Sequence, residues 1–217
     1  DGHCLVVKDD VPPTDLHNDA KDTALRIGSA LNSKSFSEVS VMRKTVVDGS
    51  NTSGFQRTML IAQGGHIEVE GKRVGVKSIC LEEDAAKIIK DEGDKRFFSL
   101  DRLGVPLVEI ALEPVTDSPK TVRNIALTLG RLLRVTKKVA RGIGTIRQDV
   151  NVSIAGGGVI EVKGVQQLDQ LEKIIEFEAK RQHGLQIISD RIKTANFGDI
   201  DKHNDVFVIT DLLKDCN

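Results

Sequence analysis

Apolar residues recur along this chain in two alternating rhythms, one helical and one extended. From Asp15 to Asn32 they fall at Ala20, Ala24, Ile27 and Leu31, a spacing that lines one helix face. Ser40–Val47 and Thr58–Ala62 read as strands. Gly64-Gly65 and Glu70-Gly71 are turn signals around a short strand at His66–Val69, and Val74–Leu81 reads as the next strand. Asp84–Lys90 reads as a short helix stopped at Gly93. Val105–Leu112 is a strand with Pro106 near its start. Ser118 is placed to cap a helix and Pro119 to fill its first turn. Its apolar face is Val122, Ile125, Ala126, Leu129, Leu132 and Leu133. Thr145–Ile154 and Val159–Val162 read as a hairpin across Ala155-Gly156-Gly157-Gly158. Gln167–Gln182 is a further amphipathic helix through Leu168, Leu171, Ile175 and Ala179.

Strands in runs, with helices between non-adjacent strands, predict an α+β fold with a mixed or antiparallel sheet and packed helices. The 217 residues read as one domain. The first residue is Asp, residues 1–16 are broken by Pro12-Pro13, and the stretch from Phe207 to Asn217 stops mid-pattern. The chain therefore reads as truncated at both ends.

Composition narrows the picture. Hydrophobic residues are 39% and charged residues 29%, an ordinary globular balance. No apolar run reaches the roughly 20 residues of a membrane helix. The net charge of -1 provides no global pull on nucleic acid, so any such contact must be local. Cys4, Cys80 and Cys216 lie far apart, which argues against a disulfide framework or zinc site and fits a cytoplasmic location. With no Trp and no Tyr, aromatic base stacking is not expected to be the main mode of action.

Three clusters carry candidate chemistry. Glu82-Glu83-Asp84 sit where a strand ends. Acids at such a junction also cap a helix N-terminus, so both readings stand. Because neighbours on a strand face opposite ways, one of Glu82 and Glu83 must face the working side of the sheet. Glu109 lies within the apolar run Val105–Leu112, where a carboxylate needs a partner or a metal unless it faces water from an edge. In Thr145–Ser153, Arg147, Asp149, Asn151 and Ser153 share one strand face, and Glu161 and Lys163 repeat that pattern on the next strand. Carboxylates from three elements beside Arg and Lys suit a Mg²⁺-assisted phosphoryl-transfer site, while the same residues also describe a solvated strand face. Gly142-x-Gly144 lacks the context of a phosphate-binding loop. No nucleophile constellation for amide hydrolysis is present. Arg131, Arg134, Lys137, Lys138 and Arg141 form a basic group that suits either a phosphate backbone or a solvated helix end.

Long motifs now add a resemblance. The stretches Met42–Thr58, Ser78–Ala86, Leu100–Ile110, Arg141–Ser153 and Val159–Val165 resemble the GatB/GatE family of tRNA-dependent amidotransferase subunits. Over Asp48–Arg57 the likeness is to the archaeal E type. The resemblance implies a cradle domain like those of glutamine synthetase and guanidino kinases. It implies ATP-dependent phosphorylation of the γ-carboxyl of Glu on tRNA(Gln), then amidation by ammonia to Gln-tRNA(Gln), in partnership with an asparaginase-like, ammonia-supplying protein of the D type. Carried over by position, Glu83, Glu109 and Asp149 would hold Mg²⁺. Arg147 and Lys163 would contact ATP phosphates and act in catalysis, a role resting more on their chemistry than on the carry-over. The family's opening Gly–x–Glu–Ile–His strand and its later tRNA-holding domains have no counterpart in these residues. A non-catalytic docking module for tRNA or partner, and an amide ligase of the same fold acting on a small carboxylate, are the alternative readings; metal titration and a comparison of free Glu with Glu-tRNA separate them.

Overall fold

The computed structural model describes residues 16–142, 144–165 and 167–194. They fall into two compact units that divide between Ile146 and Arg147. The architecture is α+β, and every strand pairing among the described residues is antiparallel.

The first unit opens with α1 (Asn18–Ala30), whose Ala24 and Ile27 are fully buried together with Leu31 just beyond the helix. The face predicted from their spacing is the face that packs. Strands β1 (Lys34–Ser35), β2 (Met42–Thr45), β3 (Phe55–Gln63), β4 (His66–Val69) and β5 (Lys72–Glu83) follow. Both β3 and β4 pair with the same side of β5, because Gly64 and Gly65 bend one long strand without ending its pairing. Gly64 N–H donates to Lys77 O at 3.3 Å, and Val76 N–H donates to Gly65 O at 3.1 Å. At Gly65 the backbone is left-handed (φ 96°), and an added Cβ would lie 2.4 Å from Leu31 O. Only glycine fits there. Glu70 (φ 52°) and Gly71 (φ 76°) make the two-residue turn into β5, the conformation a tight hairpin requires.

Residues 84–90 depart from the expected helix. Lys87–Asp91 is instead strand β6, paired with β7 (Arg96–Ser99). A single helical turn is a costly nucleus, and Ile88-Ile89 favours extended backbone. Gly93 (φ 78°) serves the hairpin turn rather than a helix stop. The next strand, β8 (Pro106–Leu112), pairs with the free side of β5. Helix α2 (Pro119–Val135) then begins as predicted, with Ser118 Oγ accepting from Thr121 N–H at 3.2 Å.

The core lies between the sheet and these helices. Ile27, Leu31, Ile61, Ile79, Leu81 and Ile125 are at most 2% exposed. Half-buried Leu129, Leu132 and Leu133 of α2 pack against this core.

The second unit pairs β9 (Gln148–Val152) with β10 (Ile160–Val165) across the predicted glycine turn, and adds α3 (Leu168–Thr194). Helix α3 runs well past Gln182, since Gly184 alone costs too little to stop it. Leu171 and Gln182 are buried, and Gln182 Nε2 donates to Val152 O at 3.0 Å.

Candidate functional site

Directly opposed residues of an antiparallel pair project to the same face, and neighbours along a strand alternate. Lys44 lies opposite Gln56, Thr58 opposite Glu82, and Cys80 opposite Glu109. These six side chains therefore share the sheet face turned away from the core. The apolar residues between them, Met59, Leu81 and Val108, belong to the core on the other face.

Glu82 is the centre of this polar face. It is 4% exposed, the only buried carboxylate among the described residues. A buried charge is tolerated only when paired and hydrogen-bonded, and Glu82 has both kinds of partner. Lys44 Nζ donates to Oε1 at 2.6 Å, Thr58 Oγ1 to Oε1 at 3.2 Å, and Gln56 Nε2 to Oε2 at 3.1 Å. Burial pulls the Lys44 pKa down, but its hydrogen bond to Glu82 and the charges of Glu82 and Glu109 more than restore it, and it ends above the ordinary lysine value. The Cys80 thiol is pushed up by burial and by the charges of Glu109 and Glu82. It is held as the thiol, the opposite of what an attacking thiolate needs. Glu109 itself is exposed. Its apolar neighbours Val108 and Ile110 point into the core, so the apolar run around it marks the other face of the strand.

Glu83 follows the alternation to the opposite face. Its Oε2 accepts from Arg57 NH1 at 2.9 Å. The Arg43 and Arg57 guanidinium groups stand over the Phe55 ring at 5.2 and 5.4 Å from its centre. This cationic corner borders a small cleft with Asn51, Ser53 and Leu103. The loop carrying Asn51 is tied to β7, where Arg96 NH1 donates to Gly49 O at 2.7 Å.

In the second unit, Asn151 pairs with Glu161, so Asp149, Asn151, Glu161 and Lys163 line one exposed face of the hairpin as expected. Asp149 Oδ1 accepts from Gly164 N–H at 3.2 Å, and Lys163 Nζ lies 3.4 Å from Glu161 Oε2. Arg147 is exposed at the entry to β9.

The expected carboxylate trio is thus not brought together within one unit. Glu83 and Glu109 stand on opposite faces of one sheet, and Asp149 belongs to the other unit. Among the described residues, no three of His, Cys, Asp and Glu form a group able to hold a metal ion. Within the first unit, Glu83 and Glu109 do not share a face from which both could reach one ion. The set around Glu82 is not evident as a unit in the sequence. Its signal is the alternation itself, which places Glu82, not Glu83, on the face of Cys80; the pairing of Cys80 with Glu109 adds the third residue.

The profile of the GatB/GatE catalytic domain matches residues 4–206. The chain belongs to the GatB/GatE family. It is 54% identical over 99% of its length to the E subunit of the glutamyl-tRNA(Gln) amidotransferase of Methanococcus maripaludis strain C7. It is 49% identical over 98% to that of Archaeoglobus fulgidus, and 47% identical over its whole length to that of Methanocaldococcus jannaschii. The chain spans about a third (34%) of the length of these curated relatives. No helix among the described residues is long and apolar enough to cross a membrane.

Proposed function

We propose that this GatB/GatE chain is the carboxyl-activating part of a tRNA-dependent amidotransferase working in the cytoplasm. The reaction converts Glu-tRNA(Gln) to Gln-tRNA(Gln). ATP phosphorylates the γ-carboxyl of the esterified Glu, releasing ADP; ammonia then attacks the acyl phosphate carbon, and inorganic phosphate leaves. An asparaginase-like partner of the D type supplies the ammonia. The observation that carries this reading is the match to E subunits at about half identity along nearly the entire chain. The fold is read as a cradle of the glutamine synthetase and guanidino kinase type.

The polar face of β2, β3, β5 and β8 suits the activation step. Glu82 is locked by three donors, so Lys44 is held in place beside Glu109 before any substrate arrives. Fixed cations of this kind offset charge on a transferring phosphoryl group without reorganising during the reaction. Arg147 and Lys163 are proposed to contact phosphate from the second unit. Glu109 and Asp149 remain the proposed carboxylates of the site, whereas Glu83 is engaged by Arg57 on the other face. No step is assigned to a bound ion.

The test is ATP-dependent amidation by the full-length protein with ammonium salt as donor. Glu-tRNA(Gln) should be converted and free glutamate should not. Conversion of free glutamate would favour a small-molecule ligase, and no ADP release with either substrate would favour a docking module.

A further inference from the structure

From Ser118 to Ile146 the chain carries seven Lys or Arg residues and no Asp or Glu, in a protein of net charge -1. Solvated surfaces ordinarily mix both signs, so this is a segregation of charge. At 100° per residue, Lys120, Arg123, Arg131 and Arg134 fall within a stripe roughly 80° wide along α2. It lies opposite the Ile125–Leu129–Leu132 face that packs on the sheet. At 1.5 Å per residue the stripe is about 20 Å long. It continues past the helix end through Lys137, Lys138 and Arg141, all exposed.

The helix dipole accounts for only part of this. It favours cations in the last turn, which contains Arg134 but not Lys120, Arg123 or Arg131. Nor, Arg123 apart, does the fold consume the charges. No ion pair with a described residue engages Lys120, Arg131, Arg134, Lys137, Lys138 or Arg141.

We infer that the outer face of α2 and its C-terminal extension form a docking surface for the phosphate backbone of RNA. A protein partner is the poorer fit. Protein interfaces are centred on aromatic or apolar anchors and are poor in Lys, and this stripe holds one exposed apolar side chain, Val135, at its end. Phosphates demand only a row of cations, each releasing condensed counterions on contact. The inference rests on the proposed tRNA substrate for its biological partner, and on the charge stripe alone for its chemistry.

The test uses the full-length protein with two labelled RNAs, tRNA(Gln) and an unrelated stem-loop, titrated across a salt series. The variants are R131Q/R134Q/K138Q and, outside the stripe, E113Q as a control at an exposed position. Affinity of the triple variant for both RNAs should fall at least tenfold near 0.1 M salt. The slope of log K against log salt should flatten by about 2–3, close to 0.7–0.9 per contact removed. E113Q should bind both RNAs as the parent does. All three substituted side chains are exposed, and circular dichroism checks folding; a misfolded triple variant is replaced by K137Q/K138Q/R141Q, read the same way. Unchanged RNA affinity and slope in a folded variant overturn the inference, as does loss of a protein partner with RNA binding intact. Amidation is measured separately. A parent that binds RNA through this stripe yet amidates nothing would refute the proposed function and leave the docking surface standing.

Discussion

Replacing Lys44 with Met keeps the side-chain stem out to its ε position and removes the ammonium hydrogen-bonded to Glu82. The cost can be bracketed from the geometry. Exposed ion pairs contribute about 0–1 kcal/mol, whereas removing one partner of a fully buried pair costs about 3–5 kcal/mol. Here the Glu82 side chain is 5% exposed and that of Lys44 is 47% exposed. Solvent screens the lysine, and Gln56 and Thr58 remain bonded to the carboxylate. An intermediate loss of about 1.5–2.5 kcal/mol follows for K44M, or about 3–10 °C in Tm for a chain of this size. Glu82→Gln should cost less, about 1 kcal/mol, because Lys44 can turn to water. The double variant K44M/E82Q should then be more stable than the two losses added, by about 1 kcal/mol or more. The assay is urea unfolding followed by far-UV circular dichroism, since the chain has neither Trp nor Tyr for intrinsic fluorescence. Additivity within about 0.5 kcal/mol, the scatter of independent sites, would show that Lys44 is not the counter-charge of Glu82.

The same pair sets an alkaline limit. The folded Lys44 pKa lies above 10.5, so its contribution is complete below that value and is lost as pH rises through the folded pKa; K44M should lack this part of the base-side loss in pH-dependent melts. At the acid end, Asp117 is depressed to about 2 by its hydrogen bond from Lys72, then by those from Ser118 and Thr121. Its contribution is complete above about pH 4 and fades as pH falls through about 2, so Asp117→Asn should flatten the stability profile across that window. Gly65→Ala should cost about 2–4 kcal/mol, combining left-handed backbone with a clash against Leu31 O, while Gly64→Ala, in open space at φ 65°, should cost about 1 kcal/mol; equal losses in urea melts would count against the close approach. Glu109→Gln should fold normally and lower ATP-dependent amidation by about 10²–10³-fold, with Glu113→Gln near the parent; a folded, fully active E109Q would remove Glu109 from the site.

Most strands and all three described helices are legible in the sequence because burial is one-sided in each. Ile79 and Leu81 alternate with Ser78, Cys80 and Glu82, Met59–Ala62 is a continuous apolar run, and α2 announces itself through Ser118-Pro119 and its apolar spacing. Residues 87–99 escape that rule because it has nothing to act on there. Ile88, Ile89 and Phe97 are all exposed, so their pattern records no core, and Gly93 signals a turn as readily as a helix stop. The site is half legible for a related reason. Sequence shows that Glu82 and Glu83 face opposite ways, but choosing between them requires the cross-strand register to Cys80 and Glu109. The same register explains the apolar run around Glu109, whose neighbours serve the far side of its strand. Lys44 is hidden further, on a four-residue strand with no buried position.

The bent ribbon of β3, β4 and β5 carries an implication for the order in which the polar face is assembled during folding. Its pairing is drawn from one continuous stretch, Phe55 to Glu83, closed by the Glu70-Gly71 turn. Contacts so near in sequence lose little loop entropy and form early. Gln56, Thr58 and Glu82 all lie inside that stretch, so the carboxylate meets its two neutral donors as the ribbon zips. Lys44 and Glu109 must arrive from outside it, on strands added to its two edges. The nascent ribbon therefore presents an anionic groove with its uncharged scaffold already set, and the docking of β2 is the step that brings the lysine to close it.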